Sequence, residues 1–131
     1  MHKKDKGSIA EMAVATKLMK LGWTVLHPLS ENNRYDLVAE RGNEFKRIQV
    51  KYVTPKNGGL PVNCRSSNNW SVKRYSPKEV DIIAAYDSRD ENIYFIPSSI
   101  FNASTIKLRL EPTKNGQRQK IRHAKEFINL N

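Results

Sequence analysis

Asp36, Gln49 and Lys51 are the residues of this 131-residue chain whose types and spacing could do chemistry together. Residues 34–41 and 44–53 read as strands, and Gly42-Asn43 between them is a two-residue hairpin loop. Counting outward from that loop sets a register in which Arg41 faces Glu44, Asp36 faces Gln49 and Arg34 faces Lys51. Side chains alternate across a strand, so Asp36, Gln49 and Lys51 project from one face of the sheet. A carboxylate, a carboxamide oxygen and an ammonium are thereby gathered at one point. Such a set suits a hard cation and an attacking water.

Glu11 is the fourth member. Residues 7–21 (GSIAEMAVATKLMKL) predict a helix, with Ser8 as N-cap, Glu11 three positions on as in a capping box, and Gly22 ending it. On the helical wheel Lys17 and Lys20 mark the solvent side, while Met12, Val14, Ala15, Leu18, Met19 and Leu21 form the apolar arc. Glu11 falls inside that arc, and an ionised carboxylate pointing at a core is costly on its own. Convergence on Asp36, Gln49 and Lys51 relieves the cost.

The elements around these residues follow from the same patterns. Residues 23–27 read as a short strand ended by Pro28. Residues 54–59 form a turn, residues 60–65 a strand and residues 66–69 a loop. Val80 to Tyr86 is nearly continuous apolar sequence, as a central strand covered on both faces requires. Strands over 92–96 and 105–110 follow. Residues 117–130 predict a second helix, with Ile121, Ala124, Phe127 and Ile128 on one face and Arg118, Arg122 and Lys125 on another. The expectation is a single α/β domain over residues 1–131, a central mixed β-sheet flanked by helices.

Composition narrows the partners. Lys plus Arg number 23 against 13 Asp plus Glu, a net charge of +10. A surface that basic points to a polyanion, nucleic acid first. No apolar run approaches the ~20 residues of a membrane span. The charged N-terminus is no signal peptide and the lone Cys64 has no internal disulfide partner, so a cytoplasmic location is expected. His2, His27 and His123 lack metal-ligand spacing. Candidate DNA contacts are Ser30 in the polar stretch before Asp36, Arg34, Lys73 and Arg74 beside Trp70 and Tyr75, and Arg118, Arg122 and Lys125.

Gly7-x-x-x-Glu11 on an opening helix, then Gly22-Trp23 and a strand, resembles the start of a PD-(D/E)xK nuclease. Tyr35-Asp36-Leu37-Val38 and Gln49-Val50-Lys51 continue the likeness, most closely to bacterial group I intron homing endonucleases and Holliday-junction resolvases. It is close over residues 7–53 and looser over 75–100. The resemblance implies a restriction-endonuclease-like fold and a Mg²⁺ ion held by Asp36, the Val50 carbonyl, Gln49 and Glu11, with Lys51 beside the nucleophile. Gln49 stands where Asp or Glu is usual, which removes one negative charge and predicts weaker metal binding. The implied activity is site-specific cleavage of double-stranded DNA of the homing type. A resolvase, or a DNA-binding module with a silent site, is the alternative. One catalytic set per chain implies a homodimer or homotetramer for cutting both strands.

Overall fold

A computed structural model describes residues 1–67, 72–101, 104–111 and 121–130, with only the backbone given for 66, 67 and 72–74. Helix α1 runs Lys3–Lys20, so it begins four residues before the expected start. His2 caps it, its Nδ1 accepting from the Lys4 N–H at 3.1 Å. Ser8 is therefore an interior residue and not the N-cap, and the capping box is not formed. Lys3, Lys4 and Lys6 are good helix formers that carry the helix through Gly7 in spite of the roughly 1 kcal/mol a glycine costs there. The other end matches expectation. Gly22 takes φ +91°, its N–H bonds the Met19 carbonyl and the Trp23 N–H bonds the Leu18 carbonyl, both at 3.0 Å, as in a Schellman motif.

Ala10, Val14 and Leu18 form the buried stripe of α1. Met12 and Met19 are 72% and 58% exposed, so the apolar arc is narrower than the wheel suggested.

Strands β1 (Thr24–Leu26), β2 (Leu37–Arg41), β3 (Glu44–Val53), β7 (Ile82–Asp87) and β8 (Ile93–Pro97) form a five-stranded sheet in the order β1-β2-β3-β7-β8. Only β3 and β7 pair parallel, so the sheet is mixed. The β2–β3 hairpin has the register set by its turn, with Arg41 opposite Glu44 and Leu37 opposite Ile48. Gly42 supplies the left-handed φ of +61° that so tight a turn needs. Every residue of β7 is buried, as the apolar run over 80–86 required of a central strand.

The two faces of the sheet carry two cores. Leu37, Ala39, Ile48, Val50, Ala84 and Phe95 pack with Ala10, Val14 and Leu18 of α1. Val53, Ile83, Ala85 and Ile96 point the other way, against Leu60, Val62, Ile106 and Leu108. Those last residues belong to β4 (Gly59–Asn63) and β9 (Thr105–Arg109), which pair antiparallel in a small second sheet with β10 (Arg122–His123). Burying this much apolar side chain, at about 25 cal/mol per Å², is what holds the layers together.

Two expectations fail. Residues 66 and 67 are not loop: β5 (Arg65–Ser67) pairs antiparallel with β6 (Val72–Arg74). The expected helix over 117–130 is absent from the described part of that stretch. Arg122 and His123 pair parallel with Leu108 and Arg109, and a 3-10 turn covers Ala124–Phe127. Ala124 and Leu130 still bury. Docking onto the exposed edge of β9 gives this segment its backbone partners, so its apolar spacing is satisfied without an α-helix. The sheet is thus flanked by one α-helix among the described residues. Residues 68–71, 102–103, 112–120 and 131, which include Trp70 and Arg118, lie outside the description.

Candidate active site

Alternation along β3 decides which side chains meet. Ile48 and Val50 turn toward α1, so Gln49 and Lys51 turn to the opposite face. Asp36 precedes β2 and is still tied to β3, its N–H bonding the Ile48 carbonyl at 2.8 Å. One step further, the Asp36 carboxylate takes over from the ladder: Oδ2 accepts the Val50 N–H at 2.8 Å. The strand pair therefore ends in a side chain, with the carboxylate fixed beside the backbone of the strand that carries Gln49 and Lys51.

The electrostatics at this point are strained in a consistent direction. Burial raises the Asp36 carboxyl above its ordinary range, although the Val50 N–H, Lys51 and His27 all pull it down. Burial and the charge of Asp36 raise Glu11, against His27, which lowers it. Burial lowers Lys51, against Asp36; Arg34 lowers it further. Two acids that would rather keep their protons stand beside a lysine that gives its own up more readily. Each shift comes first from desolvation.

Glu11 reaches the site from α1, but from the rim of the buried stripe and not from within it. Its side chain is 32% exposed and its Oε1 lies 3.5 Å from His27 Nε2. Gln49 is half-buried, its Nε2 donating to the Val50 carbonyl at 3.4 Å. Lys51 Nζ donates to the Arg65 carbonyl at 3.1 Å and lies 5.0 Å from the centre of the Tyr75 ring.

The donor set fits a hard divalent cation. Among the described residues no three His, Cys, Asp or Glu side chains form a metal cluster. The candidate carboxylates are two, Glu11 and Asp36: burial raises both, and the charge of Asp36 raises Glu11 further. Amide and main-chain oxygens from Gln49 and Val50 complete an all-oxygen set of the kind such ions take. A cation between the two acids would remove the repulsion that raises Glu11.

The candidate DNA contacts scatter. Ser30 is exposed, its Oγ and carbonyl accepting from Asn33 Nδ2. Arg34 is drawn to Glu79, with Nε 2.8 Å from Oε2, and its guanidinium lies 4.9 Å from the centre of the Tyr75 ring. Lys73 and Arg74 lie on β6, with side chains outside the description, as is Arg118. Arg122 is half-buried on β10 and Lys125 exposed in the 3-10 turn, so the helical row expected of them does not exist.

Sequence reasoning named His27 and Tyr75, the first as lacking metal-ligand spacing and the second beside candidate DNA contacts, but placed neither against Glu11 or Lys51. His27 follows β1, which is joined to β2 by a connection too long to fix a register by counting. Tyr75 comes from beyond the β5–β6 hairpin, and no spacing ties it to Lys51.

Comparison with known proteins follows the same lines. A family model described as PD-(D/E)XK endonuclease matches residues 1–130. Protein 5.3 of Escherichia phage T7 is 40% identical over 90 residues, which are 67% of this chain and 75% of that protein. The structure of the bacterial homing endonuclease I-Ssp6803I matches with a TM-score of 0.76 at 29% identity, over 97% of this chain and 88% of that one. Hjc, a Holliday junction resolvase of Archaeoglobus fulgidus, matches with a TM-score of 0.49 at 17% identity, over 79% of this chain and 84% of that one.

Proposed function

This chain belongs to the PD-(D/E)XK endonuclease family, and on that premise we propose that it is a Mg²⁺-dependent, site-specific endonuclease of the intron-homing type. Its substrate is double-stranded DNA, whose phosphodiester bonds it hydrolyses. The observation that supports the reading is the half-buried Asp36 carboxylate, held by the Val50 N–H at 2.8 Å, whose charge acts on both Glu11 and Lys51. The likeness to I-Ssp6803I over most of both chains supports the homing type. The net charge of +10 supports the polyanionic substrate.

Asp36, Glu11, Gln49 and the Val50 carbonyl would hold the ion. When bound, Mg²⁺ acidifies water and neutralises charge developing on the phosphate. Asp36 is oriented by the Val50 N–H, which bonds its Oδ2 at 2.8 Å. Lys51 would stand by the attacking water, where its ammonium can orient the water and offset the charge that develops on the phosphate. Gln49 brings an oxygen but no charge, so Glu11 supplies the second carboxylate. One such set per chain cuts one strand, and a homodimer or homotetramer brings the second. No described helix is long and apolar enough to cross a membrane. A cytoplasmic setting fits the lone Cys64, which has no internal disulfide partner.

The test is cleavage of linear duplex libraries and of a four-way junction across a Mg²⁺ titration, with Asp36→Ala and Lys51→Ala as controls. Double-strand cuts at a defined sequence that disappear in both variants are expected. Nicking that selects the junction and ignores sequence would replace homing with resolution. Retention of DNA with no cleavage would leave a silent binding module.

A further inference from the structure

The hairpin of β5 and β6 contributes to a site that the main sheet does not complete. Lys51 has a long, flexible side chain, and a residue beside a nucleophile needs a fixed one. Among the described residues, two of its contacts come from the hairpin region. One is the Arg65 carbonyl on β5 at 3.1 Å, and the other is the ring of Tyr75, one residue past β6, at 5.0 Å. Tyr75 is itself well anchored. It is 4% exposed, and its N–H bonds the Cys64 carbonyl at 2.9 Å.

The same ring carries a second cation. The Arg34 guanidinium lies 4.9 Å from its centre, and Glu79 holds that guanidinium with an Nε–Oε2 distance of 2.8 Å. Lys51 and Arg34 repel each other. Two like charges beside one buried ring are stable there because an aromatic face is negative.

We propose that Tyr75 is a positioning residue, whose ring face holds the Lys51 ammonium in its place beside Asp36. The proposal rests on the reading of Lys51 as the group beside the nucleophile, and it makes the ring face, and not the hydroxyl, the part that matters. Ordinary core packing would need only volume at this position.

Two measurements separate the alternatives, one of them independent of cleavage. In protein labelled with ¹³C-lysine, and assigned with Lys51→Arg, the Lys51 ε-methylene protons are expected upfield of every other lysine because of the ring current. Tyr75→Phe keeps that shift and Tyr75→Leu removes it. An ordinary shift in the wild type would overturn the proposal. In cleavage, Tyr75→Phe is expected within about twofold of wild type. Tyr75→Leu loses about tenfold in kcat, the order of one desolvated cation–π contact, with DNA affinity unchanged. Equal rates for the two variants would overturn it. Should Tyr75→Leu fail to fold, pentafluorophenylalanine at position 75 keeps the ring and reverses the sign of its face. The same loss supports the proposal, and a wild-type rate overturns it. A wild-type protein that cuts no DNA sinks the proposed function, and the lysine spectrum still decides the contact.

Discussion

Strand β3 has an aspartate on each side, and the two live in opposite circumstances. Asp81, just before β7, accepts the Arg47 N–H at 2.8 Å and the Arg47 guanidinium through Nε at 3.0 Å and Nη2 at 3.1 Å. Asp36, just before β2, accepts the Val50 N–H at the same 2.8 Å and has Lys51 beside it. Burial works against the ionised form in both. For Asp81 the forked Arg47 bonds outweigh burial and hold its carboxyl below the ordinary range. For Asp36 the Val50 N–H, Lys51 and His27 do not outweigh burial, and its carboxyl stays raised, as that of Glu11 is. Similar backbone placement thus gives one finished ion pair and one unfinished site. The difference is the partner. A guanidinium matches a carboxylate with two bonds, whereas the Lys51 ammonium gives its bond to the Arg65 carbonyl.

The largest way to test that contrast is to remove each acid in turn. Asp36→Ala is expected to lower the cleavage rate by at least about 10³-fold, the scale of several kcal/mol of lost charge stabilisation. Asp81→Ala should leave the rate within about threefold. Loss of cleavage in both, or in neither, would erase the distinction.

Adding charge sharpens it from the other direction. Gln49→Glu restores a third carboxylate and should lower the Mg²⁺ concentration for half-maximal cleavage by about tenfold. An unchanged titration would remove Gln49 from the ion's surroundings. In calorimetry, Mg²⁺ near 100 times its Kd is expected to stabilise the wild type by about 2.7 kcal/mol and Asp36→Ala hardly at all.

Stability carries the third difference. Asp81→Asn breaks the charged fork and should cost about 1–2 kcal/mol, read by denaturant melts at neutral pH. The pH dependence has a defined sign. The folded pKa of Asp81 is depressed, so its contribution is whole above the unfolded carboxyl's pKa of about 4 and is lost as pH falls through the folded value. Asp36 has a raised folded pKa, so its contribution is present below the unfolded pKa and is lost as pH rises through the folded value. Replacing Asp36 by Asn in the metal-free protein should therefore raise the melting temperature at neutral pH, and replacing Asp81 should lower it. The smallest effect belongs to His27→Ala. Its contact with Glu11 is 68% exposed on the histidine side, and less than about 0.5 kcal/mol of stability rides on it.

How much of this was legible depended on how each residue is tied to its neighbours. A two-residue loop leaves no freedom, so Asp36, Gln49 and Lys51 could be placed by counting from Gly42-Asn43. The all-apolar stretch before Asp87 could only be a covered strand. Glu11 was legible as an acid turned toward the sheet, though its place at the rim was not, because Met12 and Met19 made the arc look wider than it is. Apolar spacing of three and four near the C-terminus fits a helix as well as a bridge followed by a 3-10 turn. The free edge of β9, from a distant part of the chain, decided between them. Tyr75 and His27 were illegible for one reason. Each meets the site through a tertiary approach that leaves no period and no short loop in the sequence.

The hairpin turn has a reach that its surface position conceals. Gly42-Asn43 touches nothing in the site, yet five residues of β2, about 17 Å of strand, convert its length into the place of Asp36. It works as a ruler. Exchanging its residues while keeping its length would leave the reading on the ruler intact. One extra residue, were it taken up by β2 and not by the loop, would carry Asp36 to the other side of the sheet, away from Lys51.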